Sequence, residues 1–144
     1  GTTTVASAST LRGTAALKLT GSGDYTIDEE ITQTVSGGTA KGRVVSWDST
    51  NGILKYFQSP DLHTHNGKVL AFDHATNNVT GATSSTARPI DGNQDTALAD
   101  ISFTDGKANP EIAPNSGDIV YIENRRQITR AADQIEDIKL VIEF

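Results

Sequence analysis

The 144-residue sequence predicts an all-β fold, an antiparallel small barrel or sandwich with long polar loops. Three observations carry that prediction. Apolar residues recur with a period of two, most clearly in the closing run, where Ile138, Leu140, Ile142 and Phe144 fall on one face and Lys139, Val141 and Glu143 on the other. Glycine clusters, threonines and serines interrupt these runs at short intervals, as turns between short strands do. No long amphipathic helix pattern is visible anywhere in the chain.

Taken in order, Leu11 to Leu19 reads as a weak strand, and the turn cluster Gly21-Ser22-Gly23-Asp24 releases the chain from it. Tyr25 to Val35 reads as an exposed or edge strand, because Tyr25, Ile27 and Ile31 sit at odd positions with Asp28, Glu29 and Glu30 between them. Ser36-Gly37-Gly38 breaks it. Gly42 to Gln58 is the clearest hairpin: GRVVSW, then DSTNG, then ILKYFQ, with Asn51-Gly52 able to take the positive φ of a tight return. Val45 and Trp47 are expected to share a face.

Gly67 to Thr83 repeats that grammar, with an apolar run VLAF, a loop DHATNN and a return through Val79. Superposing the two turns needs a one-residue shift, so shared turn chemistry explains the likeness better than duplication. Thr80 to Ala99 is small and polar, with turn signals at Arg88-Pro89 and Asp91-Gly92, and is predicted to be a long surface loop held by partner contacts. Ile101 and Phe103 make a short strand, and Asp105 to Gly117 loops past Pro110 and Pro114. Ile119 to Glu123 opens a terminal strand pair whose connector, Asn124 to Ile135, has room for one helical turn around Ala131 and Ala132.

The domain expectation is an N-terminal segment, 1–23, continuing from an upstream part, followed by a β-rich domain, 24–144, that ends in the strand pair 117–144. Position 1 is Gly and the chain holds no methionine, which predicts a processed product or a piece of a longer chain. Termini are loose unless a sheet or a partner ties them down. A final run with a core-type alternation is therefore expected to be built into the fold.

Charge and composition exclude several classes of function. Eighteen acidic against twelve basic side chains give −6, the wrong sign for gripping a phosphate backbone, so nucleic acid is not the expected partner. No run approaches the roughly 20 apolar residues of a membrane-spanning helix, so no membrane partner is expected either. The absence of cysteine removes disulfides and thiolate metal sites.

Candidate chemistry is sparse. Asp61, His63 and His65 have metal-ligand flavour, since residues two apart on a strand point the same way. Zinc wants three or four ligands, and His74 lies in a predicted turn, so His63 and His65 are weak candidates and neither metal nor cofactor is expected. No Gly-X-Ser-X-Gly elbow and no P-loop lysine occur, and no catalytic residue is assigned. Asp91 and Asp95 read as solvated loop acids, and Asn78-Val79-Thr80 as a chance glycosylation sequon. Arg125, Arg126 and Arg130 form the densest basic patch, among Glu123, Asp133, Glu136 and Asp137. Mixed signs so close favour salt-bridged docking of another protein surface over anion capture.

Three stretches, AKGRVVSWDSTNGILKYFQ, LHTHNGKVLAF and GDIVYIENRRQITRAADQIEDIKLVIEF, resemble the C-terminal part of the baseplate wedge protein, the gene-eight product, of T4-like bacteriophages, in its cyanophage type. The last is the most specific, with its Gly-Asp-Ile-Val-Tyr-Ile-Glu-Asn-Arg entry, its Gln-Ile-Glu-Asp-Ile turn and its closing Phe. The resemblance covers under half of the chain and leaves 80–99 unmatched. It implies a structural virion protein of a contractile tail baseplate, not an enzyme, that homodimerises within the wedge and contacts other wedge proteins. Arg125, Arg126, Arg130 and Phe144 are then the expected interface residues.

Two rival readings remain. A receptor- or carbohydrate-binding tail module would use Trp47, Tyr56 and Phe57 as a stacking platform. A tail-spike hydrolase would need two carboxylates, or a histidine and a serine, converging in a concave pocket.

Overall fold

The structure, a computed structural model, describes residues 12–75 and 77–112. The terminal pair 117–144, with its connector and its arginines, lies outside the described residues, as does Leu11 at the start of the first predicted strand. Among the described residues there are eleven strands and no helix: β1 Ala15–Lys18, β2 Glu30–Val35, β3 Gly38–Asp48, β4 Ile53–Phe57, β5 Thr64–His65, β6 Lys68–Val69, β7 Val79–Gly81, β8 Ala87–Arg88, β9 Ala97–Leu98, β10 Ile101–Ser102 and β11 Lys107–Ala108. Seven form one antiparallel sheet in the order β11-β1-β4-β3-β2-β7-β8, while β9–β10 and β5–β6 are small hairpins.

The sheet rolls until its ends approach. Leu19, just past β1, bridges Ile90, just past β8; the Thr20 N–H donates to the Pro89 carbonyl at 3.1 Å, and the Asp91 N–H to that of Lys18 at 2.9 Å. One bridge is not a ladder. Of the two predicted architectures, the open, sandwich-like one is therefore found, with no closed barrel.

Strand alternation divides the interior. Leu17 and Leu54 face a main core with Ile31, Val44, Tyr56, Phe72, Val79 and Ile90. Their neighbours Ala16 and Ile53 face the opposite side, where Ile101, Phe103 and Ala108 cover them. Burying each large side chain contributes about 1.5–3 kcal/mol, so the main core dominates the fold.

Several expectations change. Tyr25 to Val35 is no edge strand: β2 lies between β3 and β7. Asp28 takes φ +68 and ends the alternation before the strand begins, so Tyr25 is buried and Ile27 is exposed. Ser36 and Gly37 form the two-residue return between β2 and β3, so β3 starts at Gly38, four residues before the predicted hairpin. Val45 and Trp47 do not share a face. A bulge between Val44 and Ser46 leaves Val45 exposed and pairs Trp47 with Leu54, turning the indole toward the main core.

Gly67 to Thr83 is not a hairpin either. β6 pairs with β5, and β7 pairs with β2 and β8, which removes the apparent repeat of the β3–β4 unit. The stretch 80–99 is not a surface loop throughout: it contains β8 and β9, and Arg88 and Ile90 are buried. Two-residue strands have no period to detect, and an inward-pointing arginine reads as surface. β1 sits between β11 and β4, so residues 15–18 belong to the same sheet as the later strands.

Candidate interaction surfaces

Polar side chains, more than turns, fix the loops of this protein. Gln33 on β2 is 2% exposed. Its Oε1 accepts the Asp73 N–H at 2.8 Å, and its Nε2 donates to the carbonyls of Asp73 (2.7 Å) and Asn77 (2.5 Å). Gln58, after β4, donates to the carbonyls of Lys41 and Leu70 at 2.7 and 2.8 Å. The crossing segment 70–73 is thus tied to the sheet by two amide side chains in place of a ladder. Between the ties Phe72 enters the core, edge-on to Tyr56 at 4.9 Å. Gly42 makes room, because a Cβ there would lie 2.9 Å from the Tyr56 ring and 3.3 Å from that of Phe72.

Glu29 fastens the turn after β7. Its carboxylate accepts the N–H groups of Thr26 (2.7 Å), Thr83 and Ser84 (both 2.8 Å) and the Ser84 hydroxyl (2.8 Å). Burial pushes its pKa up, but the bonds from the Ser84 N–H, the Thr26 N–H, the Ser84 hydroxyl and the Thr83 N–H outweigh that and hold it below the ordinary value of 4.5. Arg88 fastens the strap 20–24. Its guanidinium lies 4.7 Å from the Trp47 ring centroid and donates to the carbonyls of Thr20, Gly21 and Gly23. Trp47 in turn donates from Nε1 to Asp24 at 2.8 Å and meets Tyr25 edge-on.

The residues singled out in the sequence are scattered. His63 precedes β5 and is 1% exposed. Its Nδ1 accepts the Ser59 N–H at 2.8 Å, and its ring packs edge-on against Phe57. Burial pushes the His63 pKa down, with Arg43 and Lys41 adding to that against an opposing pull from Glu30. His65 is half-buried on β5, its ring seated over Gly38. Among the described residues no three His, Asp or Glu side chains gather to hold a metal. Asp91 and Asp95 accept backbone N–H groups of Asn93 and Asp105, as turn caps do. Tyr56 is in the core, Trp47 is pinned by Asp24 and Arg88, and Phe57 points to the other face, so the three aromatics build no stacking platform. Arg125, Arg126, Arg130 and Phe144 lie outside the described residues.

The described residues line several depressions. One of about 590 Å³ runs along β2 and β7 between Thr32, Thr34, Asn77, Asn78 and Thr80. It has hydroxyls and amides but no acid or base, and the Gln33 amide on its floor is already bonded; proton transfer has no agent there. Two others, of about 330 and 370 Å³, share Ala71, Phe72 and Lys107. Exposed apolar side chains include Ile27, Val45, Phe57, Leu62, Val69 and Ile112.

The clamps at Gln33, Glu29 and Arg88 were not foreseen from the sequence. Their partners are backbone atoms up to 68 residues away, and no pattern of side-chain types encodes such a pairing. A family model described as Bacteriophage T4, Gp8 matches residues 68–144, just over half of the chain. No curated protein and no solved structure matches it.

Proposed function

Because the chain belongs to the Gp8 family of bacteriophage T4, whose members are structural components of the baseplate wedge in the virion tail, we propose that it serves a contractile tail through protein–protein contacts alone. The family match carries this reading. It is supported by the state of the polar side chains: Gln33, Glu29, Arg88 and His63 are each spent on a backbone partner, so what the chain offers a neighbour is surface.

Its partners are other baseplate proteins. We further propose that two copies pair within the wedge, and that Arg125, Arg126, Arg130 and Phe144 supply the contacts. Arginine forks suit carboxylate partners across such an interface, and a closing aromatic suits its buried centre. The net charge of −6 argues against nucleic acid as a partner.

Complementation tests the reading. Phage lacking the parent gene are supplied with the wild-type gene or with one carrying Arg125→Gln, Arg126→Gln and Arg130→Gln. The expected result is a fall in complete tails on the order of tenfold or more, with the variant protein soluble and missing from particles. Full incorporation of the variant would remove the arginines from the interface, and purified tails without the wild-type chain would overturn the structural role itself.

A further inference from the structure

The seven-stranded sheet turns one face to the main core and the other outward, and the outward face is covered at two places along β4. At Ile53 the β9–β10 hairpin lays Ile101 and Phe103 over it. At Phe57 the turn 59–63, which leads into β5, lays the buried His63 ring edge-on against the phenyl ring. Between them apolar side chains stay in solvent. Val45 on β3 is 41% exposed and Phe57 38%. Ile27, 65% exposed, adjoins them: the Asp28 N–H donates to the Val44 carbonyl and the Val44 N–H to that of Glu29, so Ile27 and Val45 are the next residues along neighbouring segments.

The charges on this stretch run against those of the chain. Outward positions of β3 and β4 carry Lys41, Arg43 and Lys55, on a protein of net charge −6. Arg43 pairs with Asp28 at 3.2 Å, whereas Lys41 and Lys55 have no ion pair among the described residues. Asp48, on which the Lys55 charge acts, already accepts the N–H groups of Thr50 and Asn51 and the Asn51 amide. Glu30, opposite Arg43 on β2, is half-buried. A depression of about 220 Å³ adjoins the stretch, where Ile53, Lys55, Ala99 and Ile101 meet beside the β9–β10 turn.

On the reading that its partners are other baseplate proteins, we infer that this stretch docks an acidic segment of one of them, with apolar side chains against Ile27, Val45 and Phe57 and carboxylates on Lys41 and Lys55. An exposed apolar stretch flanked by charge of one sign selects a partner with apolar residues and the opposite sign. Charge also separates the possible occupants. A phosphate polymer would gain from the lysines but not from the apolar residues between them, and the net charge of −6 repels it. A second copy carries the same lysines, so a two-fold contact across this face would set Lys41 and Lys55 against their own images.

Two measurements on the full chain and on purified tails test this. The chain has no cysteine, so Val45→Cys carries a unique thiol. Maleimide is expected to label that thiol readily in the purified chain and on the order of tenfold more slowly in tails. A thiol already protected in the purified chain overturns the proposal. Tails that assemble with the thiol open overturn this docking surface while leaving the structural role standing. Should Val45→Cys fail to fold, Ile27→Cys takes its place. Carbodiimide, which joins amines to carboxylates in contact, is expected to link Lys41 or Lys55 in wild-type tails to an Asp or Glu of a different baseplate protein, read by mass spectrometry of the linked peptides. Links only to this chain's own acids or to a second copy, or none, overturn it. Lys55→Glu is expected to lower incorporation into tails on the order of tenfold. Lys107→Glu makes the same charge change on β11 and is expected to leave incorporation unchanged; equal losses would make net charge the cause and overturn the docking surface.

Discussion

Glu29 shows how one side chain can set the acid limit of the fold. It is 4% exposed and its carboxylate has four donors and, among the described residues, no ion pair, so N–H and O–H dipoles match its charge. Its folded pKa is depressed, so its contribution is complete above the ordinary value of 4.5 and is lost as pH falls through the lower folded value. His63 acts in the same direction at higher pH. Its folded pKa lies below 6.5, and protonating Nδ1 would oppose a proton to the Ser59 N–H, so its contribution is complete above 6.5 and is lost on acidification below that. Urea unfolding against pH should therefore show stability declining first below 6.5 and again below 4.5. Glu29→Gln places an amide N–H₂ among donors; it should cost about 1–3 kcal/mol at neutral pH and remove the second decline. A second decline that survives in Glu29→Gln would assign the acid limit to another carboxylate.

At the scale of elements, two glycines of similar backbone conformation separate local from tertiary constraint. Gly52 closes the β3–β4 turn at φ +64, and a Cβ there would stand 2.5 Å from the Leu19 carbonyl oxygen, whose own N–H donates to the Gly52 carbonyl at 2.7 Å. Gly67 closes the β5–β6 turn at φ +75 with nothing within 4 Å. Gly67→Ala should cost only the left-handed conformation, about 1–2 kcal/mol, whereas Gly52→Ala adds a backbone clash for about 2–4 kcal/mol in all. Equal losses in denaturant unfolding would mean that the β3–β4 turn does not press on β1.

The same elements show what a sequence can and cannot convey. The β3–β4 hairpin was legible because Asn51-Gly52 between two apolar-rich runs specifies it locally. The bulge at Val45, the two-residue strands and the inward Arg88 were not, because each is decided by a partner far along the chain. The depressions beside Phe72 were illegible for the same reason: they are made where segments 70–73 and 102–109 come to lie side by side. The family, by contrast, was carried by the residues of the closing run, which need no tertiary structure to be recognised.

At the scale of the whole molecule, the surface poses a conflict that assembly must resolve. Ile27 and Leu62 are each 65% exposed and Ile112 48%, which favours association, while a net charge of −6 repels like copies. Apolar contact alone would be indifferent to which cations are removed. Arginine forks paired with carboxylates across an interface would not be. Sedimentation of the purified chain should show concentration-dependent self-association. Exchanging Arg125, Arg126 and Arg130 for Gln, which takes the net charge from −6 to −9, should weaken it on the order of tenfold. Exchanging Lys41, Lys55 and Lys68 for Gln gives the same −9 and is the control: it should change association little, since these lysines lie on β3, β4 and β6, away from the arginine cluster in sequence. Equal weakening by the two sets would make overall charge the governing term, and a monomer at every concentration would leave the exposed apolar side chains to neighbouring wedge proteins alone.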